Sequence, residues 1–206
     1  MKKIVRQLVM LLMFVPLVAC AQEENAPYKE GEHYFKLRDE VATKDPSKVE
    51  VLELFWYGCS HCFALEPRLK SWEKTIPDYV DFQRMPAVMG RGWDIHGRAY
   101  YAAEQLGLVE ATHEALFNAI HRNRAPLFDN VALAGFYAQF GVDELTFNKA
   151  YKSFSVNSKV QQAQLKQRKY QARGVPAIIV NGKYRVDSQK DMLKVVDYLV
   201  EKERRS

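Results

Sequence analysis

Two cysteines three positions apart, Cys59 and Cys62, carry the clearest chemical potential in this chain. They lie in the run Phe55-Trp56-Tyr57-Gly58-Cys59-Ser60-His61-Cys62. A strand-like apolar segment, Val49–Trp56, leads in, and a helix-like segment, Phe63–Lys70, leads out. The pattern predicts a strand-to-helix turn with Cys59 at or just before the first helical turn. The first N–H groups of a helix have no partner inside it, and the summed peptide dipole makes that end positive. A thiolate held there is stabilised, so its pKa falls and it becomes a better nucleophile and leaving group. Two intervening residues let the second thiol come round one turn and reach the first. The expected chemistry is a reversible dithiol/disulfide exchange.

The structural alternative for such a pair is a metal site. A structural zinc needs four nitrogen or sulfur ligands, and no second cysteine pair exists. His61, His96, His113 and His121 would have to complete the set, at spacings that match no recognised pattern. A purely structural disulfide is also a poor account, because a bridge between residues three apart closes a tiny loop and stabilises little through loop entropy.

The elements that must position these residues fit in one domain, or one domain carrying an insertion, at 206 residues. Composition is that of an ordinary globular protein. The N-terminus reads as a targeting signal: Lys2, Lys3 and Arg6 are followed by an apolar core from Leu8 to Val18, short for a bilayer span. Ala19-Cys20-Ala21 has the small-x-small form of a signal peptidase site, giving a signal peptide of 1–21. Leu17-Val18-Ala19-Cys20 also resembles a lipobox, giving a signal of 1–19 and a lipidated Cys20; the soluble form is preferred. Either way export permits disulfides. The formal charge of +5 falls to +2 once the three signal-segment cations are set aside, too weak a bias for nucleic acid.

Glu32–Leu37 is a candidate first strand, and Val49–Tyr57 reads as a central strand buried on both faces, with Glu53 out of place in it. The helix after Cys59 contains Pro67, which should kink it. Tyr79–Met85 alternates like another strand. From about Gly92 to Gln171 only helical patterns occur. Leu116, Phe117 and Ile120 share a face with His113. Phe147, Ala150, Tyr151 and Phe154 share another after Asp143 as N-cap. Val131–Phe140 and Val160–Arg173 supply two more helices. Ala177–Val180, the turn Asn181-Gly182 and Lys183–Val186 read as a hairpin. Ser188 with Asp191 resembles a capping box before a last helix with Met192, Val195, Val196 and Leu199 inside.

A strand–helix–strand unit at one end, a hairpin and helix at the other, and helices between them give an α/β class: a thioredoxin fold with an inserted all-helical domain. The expected parts are 22–91 and 172–206 for the thioredoxin domain and 92–171 for the insert. With Glu53–Cys62, Gly174-Val175-Pro176 and Asn181-Gly182-Lys183-Tyr184 in hand, the chain resembles the DsbA family of bacterial periplasmic thiol:disulfide oxidoreductases over about residues 30 to 203. The family pattern has proline after the first cysteine; Ser60 stands there instead. Serine restores a backbone N–H and leaves the redox poise open.

The resemblance implies Cys59 as exposed nucleophile, Cys62 as buried resolving thiol, and His61 as a donor or positive charge beside the Cys59 thiolate, where otherwise it is an exposed helix-start histidine. It implies a cis-proline at Pro176 opposite the cysteines, with Val175 lining the site and offering its backbone to an extended substrate. Glu53 and Glu66 match family positions, and Arg84 replaces a lysine. These three form either a paired structural network or a proton-handling group for Cys62. Met85, Val88 and Met89 are candidates for an apolar groove or for core. The implied activity is donation of the Cys59–Cys62 disulfide to unfolded exported proteins with free cysteines. A DsbB-like, quinone-linked membrane oxidase would re-oxidise a periplasmic monomer. No metal, nucleotide or flavin signature is present. A reductase or isomerase on the same fold, and a non-enzymatic binding module, are the competing readings.

Overall fold

The structure, a computed structural model, describes residues 26–205. The signal segment and both readings of Cys20 lie outside these residues. The frame is a five-stranded sheet of order β1-β5-β4-β2-β3. Its strands are β1 (Phe35–Lys36), β2 (Val49–Phe55), β3 (Val80–Pro86), β4 (Ala177–Val180) and β5 (Tyr184–Asp187). Helix α1 (Ser60–Glu73) crosses from β2 to its parallel neighbour β3. β4 returns antiparallel to β2 on the other side. Helices α2 (Trp93–Gln105), α3 (Val109–His121), α4 (Asn130–Ala138), α5 (Glu144–Tyr151) and α6 (Phe154–Lys169) lie between β3 and β4, and α7 (Met192–Arg204) closes the chain.

Every residue of β2 is buried. Successive side chains point to opposite faces of a strand, so both faces need cover. Val49 and Val51 join Ile178, Val180, Leu65, Leu69 and the inner stripe of α7 in one core. Leu52 and Leu54 join Ala177, Ile179 and the helices of the 92–171 region in the other. The near-continuous apolar reading of β2 follows from this double burial. Burying one such side chain stabilises by about 1.5–3 kcal/mol, so this strand fixes the base on which the cysteines stand.

Three local expectations fail. Phe154 does not share the buried face of Phe147, Ala150 and Tyr151. Helix α5 stops at Tyr151, Ser153 N-caps a new helix through Val156 N, and Phe154 is 88% exposed. The 3–4-residue spacing runs on across a break that the cap residue makes. α6 correspondingly begins at Phe154 rather than Val160. The capping box at Ser188 does not form: Asp191 precedes α7 without a side-chain cap bond. Its carboxylate takes Lys194 Nζ at 3.1 Å instead. The Asp143 cap holds, accepting from Thr146 N at 2.9 Å. Pro67 sits inside α1, and Ser71 Oγ donates to its carbonyl at 2.9 Å.

Candidate active site

Cys59 is the N-cap of α1, with extended backbone (φ −90°, ψ 115°). Its sulfur accepts the Cys62 backbone N–H at 3.2 Å. A sulfur in that role takes one of the helix's four unpartnered donors and sits in the positive end of its dipole. The Cys62 thiol, the Cys62 N–H and the His61 N–H all favour charge on Cys59, and the His61 ring adds a smaller Coulomb pull. Against the cost of burial they hold the Cys59 thiol down to about 6. Cys62 is fully buried, and desolvation first, then the neighbouring Cys59 sulfur and Glu53, push its thiol far up. Both cysteines are free, so the structure describes the dithiol state. Ser60 and His61 are exposed at the helix start.

Cys59 Sγ also lies 3.5 Å from the Val175 carbonyl, across the site. The Val175–Pro176 peptide is cis, the one cis bond among the described residues. A cleft of about 440 Å³ opens beside the sulfur, lined by Trp56, Trp93, Met89, Arg173 and Val175 among others. Its wall is aromatic: the Trp56 and Trp93 rings stack at 4.3 Å and 3°. Gly58 permits this, since a Cβ there would lie 2.4 Å from the Trp56 ring. Of the three residues considered for a groove, Met89 lines this cleft, whereas Met85 and Val88 are core. Gln167 of α6 holds the loop behind Met89, exchanging two hydrogen bonds of 2.7 Å with the backbone of Val88.

Beneath the cysteines the sheet register sets Glu53 opposite Arg84. Arg84 Nε lies 3.4 Å from Glu53 Oε2, and its other nitrogen reaches Glu66 at 3.9 Å and Glu73 at 3.4 Å. The sequence-predicted trio is therefore brought together, with Glu73 as a fourth, more exposed member. Glu53 is wholly buried, and the 3.4 Å approach does not make an aligned hydrogen bond: neither of its oxygens has a partner. Desolvation, then the Glu66 charge, raise its carboxyl well above the usual range, while Arg84 opposes them.

Three further residues of this region have no role in the exchange chemistry read from sequence. His113 of α3 stands with Nε2 3.3 Å from Glu66 Oε1 and Nδ1 2.9 Å from the Tyr57 hydroxyl. His121, also on α3, donates from Nε2 to the Tyr57 carbonyl at 2.8 Å and stacks on Phe63. Tyr57 itself, two residues before Cys59, is thereby gripped at both ends. In the sequence His113 shows on an apolar helix face and, with His121, among the histidines that a zinc site would need. Among the described residues no group of three or more His, Cys, Asp or Glu side chains is placed to hold a metal.

A helix-capping low-pKa thiol, a buried second thiol three residues on, and a facing X–Pro carbonyl on a thioredoxin-type sheet define a thiol:disulfide oxidoreductase. The model of the DSBA-like thioredoxin domain matches residues 94–200. The thiol:disulfide interchange protein DsbA of Azotobacter vinelandii is 41% identical over 184 residues, 87% of this chain and 86% of that protein. That of Pseudomonas aeruginosa is 40% identical over 86% of each. The crystal structure of P. aeruginosa DsbA superposes with a TM-score of 0.81, covering 86% of this chain and 95% of that one. For DsbA from Xylella fastidiosa, 35% identical, the TM-score is 0.83 over 87% and 99%. The chain belongs to the DsbA family, and its activity is the introduction of disulfide bonds by thiol:disulfide exchange.

Proposed function

We propose that Cys59 is the sulfur attacked by substrate and Cys62 the thiol that leaves and later resolves. A substrate thiolate attacks Cys59 Sγ, the Cys59–Cys62 bond breaks, and its electron pair goes to Cys62, which takes a proton. A second substrate thiolate then attacks the substrate sulfur of the mixed disulfide. The substrate disulfide forms and Cys59 departs as thiolate. Two electrons have passed from substrate to enzyme. The opposite displacement of the two thiols carries this reading, Cys59 down to about 6 and Cys62 strongly upward. A stable leaving thiolate at Cys59 favours the reduced enzyme and so makes the disulfide a stronger oxidant.

The remaining roles follow from position. His61 adds positive charge near the leaving sulfur, and Ser60 leaves the turn a backbone N–H that proline lacks. Val175 and Pro176 form the lip along which an extended substrate lies, with the indole wall opposite. Glu53 hands its proton to Cys62, with Arg84 and Glu66 holding it in place. The substrates are unfolded exported proteins with free cysteines, met in the periplasm by a soluble monomer after removal of residues 1–21. A DsbB-like, quinone-linked membrane oxidase removes the two electrons. Residues 92–171 act as an inserted domain between 22–91 and 172–206. No helix among the described residues is long and apolar enough to cross a membrane. Equilibration of the purified protein against a glutathione series tests the direction: a midpoint well above that of a thioredoxin-like reductant is expected. A midpoint as reducing as thioredoxin would make the protein a reductase.

A further inference from the structure

His113 is a buried titratable group beside the cysteines that the exchange reaction leaves without a task. It is 7% exposed and both ring nitrogens are engaged. Tyr57 is fully buried, which pushes its phenol well above the usual value and keeps it a donor. A carboxylate oxygen can only accept, so the contact with Glu66 Oε1 is made by an Nε2–H, and the Tyr57 hydroxyl donates to Nδ1. Glu66 thus has an N–H on one oxygen and the Arg84 guanidinium 3.9 Å from the other. Glu53 is the opposite case, with no hydrogen-bond partner on either oxygen. Two buried carboxylates sharing one cation cannot both ionise cheaply, and the pair keeps one proton between them. The group that supplies a donor to one carboxylate decides which of them holds the proton.

We infer that His113 is a positioning residue: its Nε2–H keeps the negative charge of the buried pair on Glu66 and the proton on Glu53. This rests on the reading of Glu53 as proton donor to Cys62. When substrate attacks Cys59, the S–S electron pair moves to Cys62 and the Glu53 proton follows. Glu53 then becomes the carboxylate, facing Arg84. The proton is already at the right oxygen because the helical region, through α3, has placed it there. The groups facing His113 are Tyr57 from the turn after β2, Glu66 from α1 and Tyr100 from α2. Glu114, next along α3, is engaged by Lys70 at 2.5 Å. Arg84 and Glu53 stand behind Glu66.

The test is single-turnover reduction of the oxidised protein by a cysteine peptide, followed across pH in wild type, His113→Phe, His113→Gln, Tyr57→Phe and Glu53→Gln. General acid catalysis by a placed proton contributes about 10²–10⁴-fold, so His113→Phe should slow the first step at neutral pH by about 10-fold or more. Its pH midpoint should move downward, since Glu53 now ionises more readily. His113→Gln, whose amide N–H can reach Glu66, should restore most of the rate. Tyr57→Phe keeps the ring packing and should move the midpoint the same way by less. In infrared difference spectra, the protonated-carboxyl band lost in Glu53→Gln should weaken in His113→Phe. If Glu53→Gln moves the profile and neither His113→Phe nor Tyr57→Phe does, the placement by His113 is overturned and the donor role of Glu53 stands. A slowed His113→Phe with an unmoved midpoint and no rescue by glutamine also overturns it. If Glu53→Gln leaves the profile unmoved, both ideas fall.

Discussion

The two cysteines are three residues apart, yet their surroundings are assembled in opposite ways. Apart from the Cys62 thiol itself, the Cys59 side is made by backbone: a helix end, the N–H groups of Cys62 and His61, and the Val175 carbonyl. The Cys62 side is made by side chains from four elements: Glu53 of β2, Glu66 of α1, Arg84 of β3 and His113 of α3. A backbone site comes with the turn itself, and Cys59 caps the helix with Ser60 as the next residue. A side-chain site depends on sheet register and helix packing, so single substitutions can dismantle it.

The largest test of this contrast is removal of each sulfur in turn. Cys59→Ser should abolish turnover, because the attacked atom is gone. Cys62→Ser should leave Cys59 reactive towards an alkylating agent but trap substrates as mixed disulfides, visible on non-reducing gels. Equal reactivity of the remaining thiol in both variants would erase the distinction between the two sides.

The pH dependence of stability separates them next. Cys59 has a folded-state pKa of about 6 against an ordinary 9.0. Its contribution to the dithiol protein is complete above about 9 and is lost as pH falls through about 6. Cys62 is displaced upward, so its contribution is complete below an unfolded value near 9.0 and declines as pH climbs past it. The disulfide form has neither thiol. The difference in unfolding free energy between dithiol and disulfide forms should therefore rise from about pH 6 and turn over near pH 9. Urea denaturation of both forms across that range reads it, and a flat difference would remove the basis for the two roles.

The smallest expected effect is confined to the Cys59 side. Gly58→Ala puts a Cβ against the Trp56 ring, an overpacking that should cost about 1–3 kcal/mol and lower Tm. It should also raise the Cys59 pKa by disturbing the turn, while the Glu53 carboxyl band stays where it was. A shifted band would mean the two sides are not separable.

The same contrast explains what could be read without coordinates. The turn, the low-pKa position of Cys59, β2, the hairpin and the sequence of elements are local patterns of spacing and turn residues. The trio of Glu53, Glu66 and Arg84 was reached through resemblance, and the register of β2 with β3 brings it together. Glu73, His113, Tyr57, His121 and Gln167 left no local signal. Their partners lie 11 to 79 residues away in the chain, and a histidine on an apolar helix face looks the same whether it is packed or paired. The break before Phe154 was hidden for a related reason, since apolar spacing continues through a cap that only backbone geometry reveals.

The Val175 carbonyl follows the sulfur it faces by 116 residues. A chain made from its N-terminus exposes its thiol pair well before the opposing lip has been synthesised. During that interval the nascent chain carries its two thiols without the backbone that will face them, and the opposing lip is complete only once Val175 and Pro176 have been added.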